Sequence, residues 1–244
     1  MVTSNLAFKE ENSIEPEVVV NESPVKWCAV ALSDVVARGK RLEASVFDVE
    51  AKQAYMLLTH GKYPAVNLIS KNGPVEKAYY GGRLKRHYVD ETEPGAVGFL
   101  GSSEMLDCKP EPVKFMLNDV KTTDVRVKQG VVLISRSGTI GNVTYVGNTL
   151  SKFFVSEHAI RIECKDFPGY VYAFLKTKIG KLIVCSTQYG AVIQEIEPEH
   201  LATVPIPDAP TMLKKKIHDL IVRSYELRDE SNDLIDQATA LLIG

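Results

Sequence analysis

The chain has 244 residues, 45% of them hydrophobic, and a net charge of −2, enough to bury one core of about 200 residues plus a tail, or two smaller ones. No run of eighteen apolar residues occurs, and the N-terminus lacks the charged-then-apolar pattern of a secretory signal, so a membrane span is excluded and a cytoplasmic protein is expected. Cys28, Cys108, Cys164 and Cys185 are far apart and match no zinc-ligand spacing, so they read as reduced thiols, with neither metal nor cofactor expected.

Charge is unevenly spread. Residues 1–24 hold Glu10, Glu11, Glu15, Glu17 and Glu22 against Lys9, a net of −4, which leaves +2 for the remainder. This first segment reads as a flexible acidic arm, with a short strand at Val18–Val20. The rest is mildly basic, which permits contact with phosphate.

Trp27 leads into a short apolar segment, Leu32, Val35 and Val36, with Ser33 or Asp34 as helix N-cap. It stops near Gly39 in a basic cluster, Arg38-Gly39-Lys40-Arg41, that suits either a solvated turn or a phosphate contact. Residues 46–60 suggest a helix, or a mixture of helix and strand, ending at Gly61. Within them Asp48, Glu50 and Lys52 fit half of a metal-dependent nuclease site, although on a helix the three side chains point in different directions.

Ala65–Ile69 reads as a strand, and turn signals follow at Asn72-Gly73-Pro74 and Gly81-Gly82. Between Tyr79 and Tyr88 aromatics interleave with Arg83, Lys85, Arg86 and His87. That composition suits nucleic acid, because cations neutralise phosphates or fork onto guanine and Tyr packs on sugar or base; it equally suits a strand with a solvated basic face.

Val131–Ile134 is expected as a buried strand, running into a hydroxyl- and glycine-rich hairpin, Ser135–Asn142, that aims Arg136 outward, and out again at Val143–Val146. As a catalytic serine site the hairpin is poor, since nothing local supplies a base. Phe153–Ile162 reads as one strand around Ser156-Glu157-His158, Tyr170–Leu182 as one amphipathic helix, Gln188–Gln194 as a strand, and Val204-Pro205-Ile206-Pro207 as an extended linker.

After Pro210 a long helix is expected. Leucine recurs every seven residues at Leu213, Leu220, Leu227, Leu234 and Leu241, with Ile217, Ser224, Ser231 and Ala238 at the other seam position. Ile221, Ile235 and Leu242 widen the stripe. Such a helix spans roughly 45 Å and cannot bury its stripe against itself, so it must meet another helix. The fold class expected is α+β, a mixed, irregular β-sheet head followed by one long C-terminal coiled-coil helix. The domains are an arm over 1–24, a recognition domain over 25–210 and a spacer or dimerisation helix over 211–244.

The order of segments resembles a known family. Ile134–Gly141, then Ser156-Glu157-His158, Phe174-Leu175 with Gly180, Gly190–Ile193, Val204–Pro207 and a long helix are similar to the specificity subunit of type I restriction-modification enzymes. Gly39–Leu42, Arg83–Arg86 and Phe99–Ser103 extend the resemblance, which covers residue 27 to the end. It implies a target-recognition domain for double-stranded DNA, partnered by modification (methyltransferase) and restriction subunits that carry the catalysis. The family carries two such domains and two antiparallel helices. This chain has one of each, so either it is a half-size subunit that pairs through the helix with a second copy or another specificity half, or it is the N-terminal part of a longer protein. Chosen by chemistry, the DNA-contact residues expected are Arg83, Lys85, Arg86, Tyr88, Ser102, Ser135, Arg136, Ser137 and Gln188. The partner seam is Leu213, Ile217, Leu220, Leu227, Leu234, Ala238 and Leu241. Two rival readings are a small Mg²⁺-dependent nuclease using Asp48, Glu50 and Lys52, and an interaction protein whose coiled coil is its whole function.

Overall fold

A computed structural model describes residues 29–37, 44–190 and 193–243. The acidic arm, Trp27, the basic cluster at 38–41 and Ala191-Val192 lie outside them. In chain order the elements begin with α1 (Leu32–Ala37), α2 (Val49–Thr59), β1 (Ala65–Asn67), β2 (Val75–Tyr80), β3 (Ala96–Leu100) and β4 (Phe115–Leu117). β5 (Val132–Ser135), β6 (Val143–Tyr145), α3 (Asn148–Ser151), β7 (Phe154–Val155) and β8 (Ala159–Cys164) follow. Then come α4 (Pro168–Lys176), α5 (Lys178–Cys185), α6 (Pro198–Leu201), β9 (Pro205–Pro207) and α7 (Thr211–Ile243). This is the expected α+β head followed by one long helix.

The centre of the head is an antiparallel sheet in the order β2-β8-β5-β6. β5 is buried on both faces, as a short β-branched run between turn signals should be. Val132 and Ile134 join Ile160 and Ile162 of β8 in the core under α4 and α5, while Leu133 faces a second cluster with Leu100, Met105 and Val155. A smaller sheet, β4-β3-β7, is antiparallel on one side and parallel on the other. The turn from β5 to β6 needs both of its glycines, since Gly138 and Gly141 sit at φ 75° and 76°, where a Cβ is strained.

Several local expectations are corrected. Helix α1 starts two or three residues earlier than expected: the Ala31 carbonyl accepts from the Asp34 and Val35 amides, so Ser33 and Asp34 lie inside the first turn. The single helix expected over 170–182 is two. Thr177 adopts an extended conformation, ends α4, and caps α5 by accepting from Gly180 N at 3.0 Å. Gly180 allows the tight corner, because a Cβ there would lie 2.4 Å from the Phe174 carbonyl oxygen. The strand expected over 153–162 is broken at Ser156-Glu157-His158 into β7 and β8. Of the strand expected over 188–194, the described residues show only an isolated antiparallel bridge from Tyr189 to Glu195. The expected linker at 204–207 is extended but internal: β9 pairs with β1, and Val204 and Ile206 are fully buried.

Helix α7 lies along the head and is anchored by polar groups at successive intervals of seven, four, three and four residues. His218 accepts from Gly169 N at the start of α4 (3.1 Å). The Tyr225 hydroxyl accepts from Tyr145 N at 3.0 Å, and Asp229 caps α3 by accepting from the Asn148 and Thr149 amides. Asn232 donates to the Cys108 carbonyl (2.9 Å), and Asp236 pairs with Lys109. At about 100° per residue this face lies roughly 170° around the helix from the leucine row. Leu213 and Ile217 pack partly against the core, while Leu220, Leu227, Leu234 and Leu241 are exposed.

Candidate nucleic-acid interface

The loop from Gly81 to Tyr88, the Gly101–Ser103 turn, the β5–β6 turn and the β7–β8 turn meet at one end of the head. Their meeting point is Ser156-Glu157-His158. Ser156 N donates to the Leu100 carbonyl, and the His158 carbonyl accepts from Arg136 N at 2.8 Å. Arg86 Nη2 lies 2.7 Å from both Glu157 oxygens. The His158 ring Nδ1 is 2.8 Å from Ser137 Oγ. Burial alone would raise the Glu157 pKa, but hydrogen bonds from Arg86 and from its own backbone, with the Arg86 charge, outweigh it and hold the carboxyl below the usual range.

Of the expected contact residues, Arg83 and Lys85 are exposed and make no ion pair with any described residue. Arg86 is committed to Glu157 and stacks over Phe99 at 5.1 Å. Tyr88 meets the edge of the same ring at 6.2 Å and carries the Lys114 ammonium 5.6 Å from its centroid. Ser102 is partly exposed on the neighbouring turn, and Gln188 follows α5, with its amide donating to the Cys185 carbonyl.

The hairpin residues differ from expectation. Arg136 does not point outward: it is 3% exposed, with Nη2 at 2.8 Å from Glu195 and 2.5 Å from Glu197, and its guanidinium lies 4.7 Å from the Tyr80 ring centroid. Burial opposes the charge on Arg136, but the hydrogen bond to Glu197 and the charges of Glu197 and Glu195 prevail and raise its pKa. Burial likewise opposes ionisation of Glu197, yet hydrogen bonds from Tyr189 and Arg136 hold its pKa low. Ser135 is fully buried and tied to the Thr139 carbonyl, so it shapes the turn. Ser137 is also buried, and the base absent from its own segment is supplied across the fold by His158. Glu157 is 3.9 Å from His158 Nε2, beyond hydrogen-bond reach, and is already held by Arg86, so no serine-histidine-acid relay is assembled.

Sequence reasoning missed Glu157, Glu195 and Glu197 as the partners that immobilise two of its cations. The ionic partners are 59 to 71 residues apart in the chain, and no local pattern marks them. At the rival nuclease segment Asp48 is the α2 N-cap, accepting from Ala51 N at 2.9 Å, and Lys52 donates to the Ala29 carbonyl at 2.7 Å. Among the described residues no group of three or more His, Cys, Asp or Glu could hold a metal ion, and no helix is long and apolar enough to cross a membrane.

Neither a family model nor a curated protein matches the chain. Among solved structures the chain is similar to the S subunit of a type I restriction-modification system from M. genitalium, at TM-score 0.45 and 14% identity over 66% of this chain and 38% of that one. It is similar to the HsdS subunit of Thermoanaerobacter tengcongensis at TM-score 0.46 and 14% identity, over 81% and 48% of the two chains. A chain from a structure of type I R-M complex assembly and conformational transition matches at TM-score 0.44 and 14% identity, over 85% and 55%. In each case this chain spans about half or less of the other's length.

Proposed function

We propose that this chain is a DNA-recognition subunit that directs adenine-methylating and restriction partners to one half of a two-part site. The observation that carries the reading is a convergence at one end of the head. Arg83, Lys85 and Tyr88 stand exposed beside Arg86 and Arg136, whose charges are neutralised by carboxylates, so among the described residues of this loop and these turns Arg83 and Lys85 are the arginine and lysine without an ion pair. Such groups neutralise phosphates and reach base edges, phosphate contacts fixing register and base contacts fixing sequence. The ordered motifs from Ile134 to Pro207 that resemble type I specificity subunits support the same reading.

The long helix completes it. One face of α7 is committed to its own head through Tyr225, Asp229 and Asn232, and the other presents an exposed leucine row interleaved with Ser224, Ser231 and Ala238. Small residues alternating with leucine suit close packing of a second α7, and we take the occupant to be another copy of this chain. A rigid helix pair about 50 Å long, for 33 residues at about 1.5 Å each, would hold two heads at fixed separation, as a bipartite site with a constant gap requires. Catalysis in this reading belongs to the modification and restriction subunits.

The test is to co-express the full chain with its modification subunit in a host lacking the system and map new methyladenines. A palindromic motif in two parts with a constant gap is expected. Two unlike half-sites would remove the self-pairing; absence of new methylation from a soluble, associated complex would remove the recognition role.

A further inference from the structure

Beside the patch just described, and outside it, a cleft of about 760 Å³ opens between the end of β2, the 124–128 segment and the 151–154 segment. Its size is that of small-molecule sites, about 300–1,000 Å³. The charged side chains on its walls are Arg126, Lys128, Lys152 and Arg161 against the single carboxylate of Asp124. Lys128 and Lys152 are exposed and make no ion pair with any described residue.

Arg161 is the unusual member. It stands in the middle of β8, between Ile160 and Ile162, and is 1% exposed. Its guanidinium donates to the carbonyls of Val155 (2.7 Å), Ala159 (3.2 Å) and Val125 (3.3 Å); Nε has no partner, and no described carboxylate lies within ion-pair distance. Asp124 and Glu157 act on it only from beyond contact; a buried cation with no carboxylate paired to it is costly, and an anion in the cleft supplies a direct counter-charge. Gly81 keeps the approach open, since a Cβ there would sit 2.6 Å from the Asp124 carbonyl and 3.1 Å from the guanidinium. Tyr79, the cross-strand neighbour of Arg161, is 37% exposed and Phe153 is partly exposed, giving flat apolar surface on the cleft wall.

We propose that this cleft binds one nucleotide unit, its phosphate drawn to Lys128, Lys152 and Arg161 and its base lying against Tyr79 and Phe153. The unit comes either free in solution or as one residue of a DNA strand. Both sources share the chemistry of an anion joined to a planar ring, and rings and cations are the two kinds of surface the cleft provides.

The experiment is calorimetric titration of the whole chain with deoxyadenosine monophosphate, deoxyadenosine, inorganic phosphate and a short DNA duplex, repeated on Lys128→Glu/Lys152→Glu. Both lysines are exposed, and an unchanged melting temperature checks the fold. The nucleotide is expected to bind at least about tenfold tighter than either fragment, and the variant to lose about tenfold or more. Binding of DNA but not of the free nucleotide, with the same loss in the variant, assigns the unit to a strand. Equal affinity for phosphate and nucleotide, no binding at all, or a variant indistinguishable from the parent overturns the proposal. Duplex binding that falls in Arg83→Ala/Lys85→Ala and not in the cleft variant removes the cleft and keeps the recognition reading. Nucleotide binding without duplex binding does the reverse.

Discussion

Self-association through α7 can be tested by Leu227→Ala/Leu234→Ala. The two leucines are 49% and 58% exposed, so a docked helix removes about half of each side chain from water. Full burial of leucine contributes about 1.5–3 kcal/mol, so each position is worth about 1 kcal/mol. Symmetry places both positions on both copies, and the double variant should lose about 4 kcal/mol of association free energy, roughly a thousandfold in Kd. Alanine keeps the helix, having the highest helix propensity, and neither leucine joins a core cluster of the head, so monomer stability should hold. Sedimentation equilibrium reads the difference directly. The reasoning fails if parent and variant share one dissociation constant, or if the parent stays monomeric at concentrations where the helix pair should form.

Four further outcomes follow from particular contacts. Arg136→Ala strands Glu195 and Glu197, both partly screened by solvent, and should cost about 3 kcal/mol in urea unfolding; recovery in Arg136→Ala/Glu195→Gln/Glu197→Gln is expected, and a neutral single variant would contradict the buried ion pair. Tyr225→Phe leaves the buried Tyr145 amide without its acceptor and should cost about 1–3 kcal/mol, read as a lowered Tm. Glu157 and Glu197 have pKa values held below the ordinary one, so their stabilisation is complete above about pH 4.3 and disappears as pH falls through the lower folded values. Melting temperature should therefore fall as pH drops below about 4.3, less so in Arg86→Met/Arg136→Met; identical profiles would dismiss both pairs as the source. Arg83→Ala/Lys85→Ala should flatten the salt dependence of duplex binding by about two units of log–log slope, at about 0.9 for each phosphate contact, and an unchanged slope would take both residues off the phosphates.

What the sequence determined by itself was whatever repeats locally. The leucine heptads mark α7 and its free face. The apolar run at Val131–Ile134 marks a buried strand, and the paired glycines after it mark a turn. What tertiary structure decided was the use made of polar residues. Tyr225, Asp229 and Asn232 look like the solvated side of a coiled coil, yet they fasten the helix to the head, because their partners lie 80 to 124 residues away. Arg136 reads as an outward cation of a hairpin, and Arg161 falls within the strand expected over 153–162. The first is neutralised by carboxylates that arrive with the 195–197 segment, and the second is walled in by carbonyls from two other segments. Periodicity reports which way a side chain points relative to its own element. Whether that direction leads to water, to a counter-charge or to the wall of a cleft depends on which distant segments pack against it.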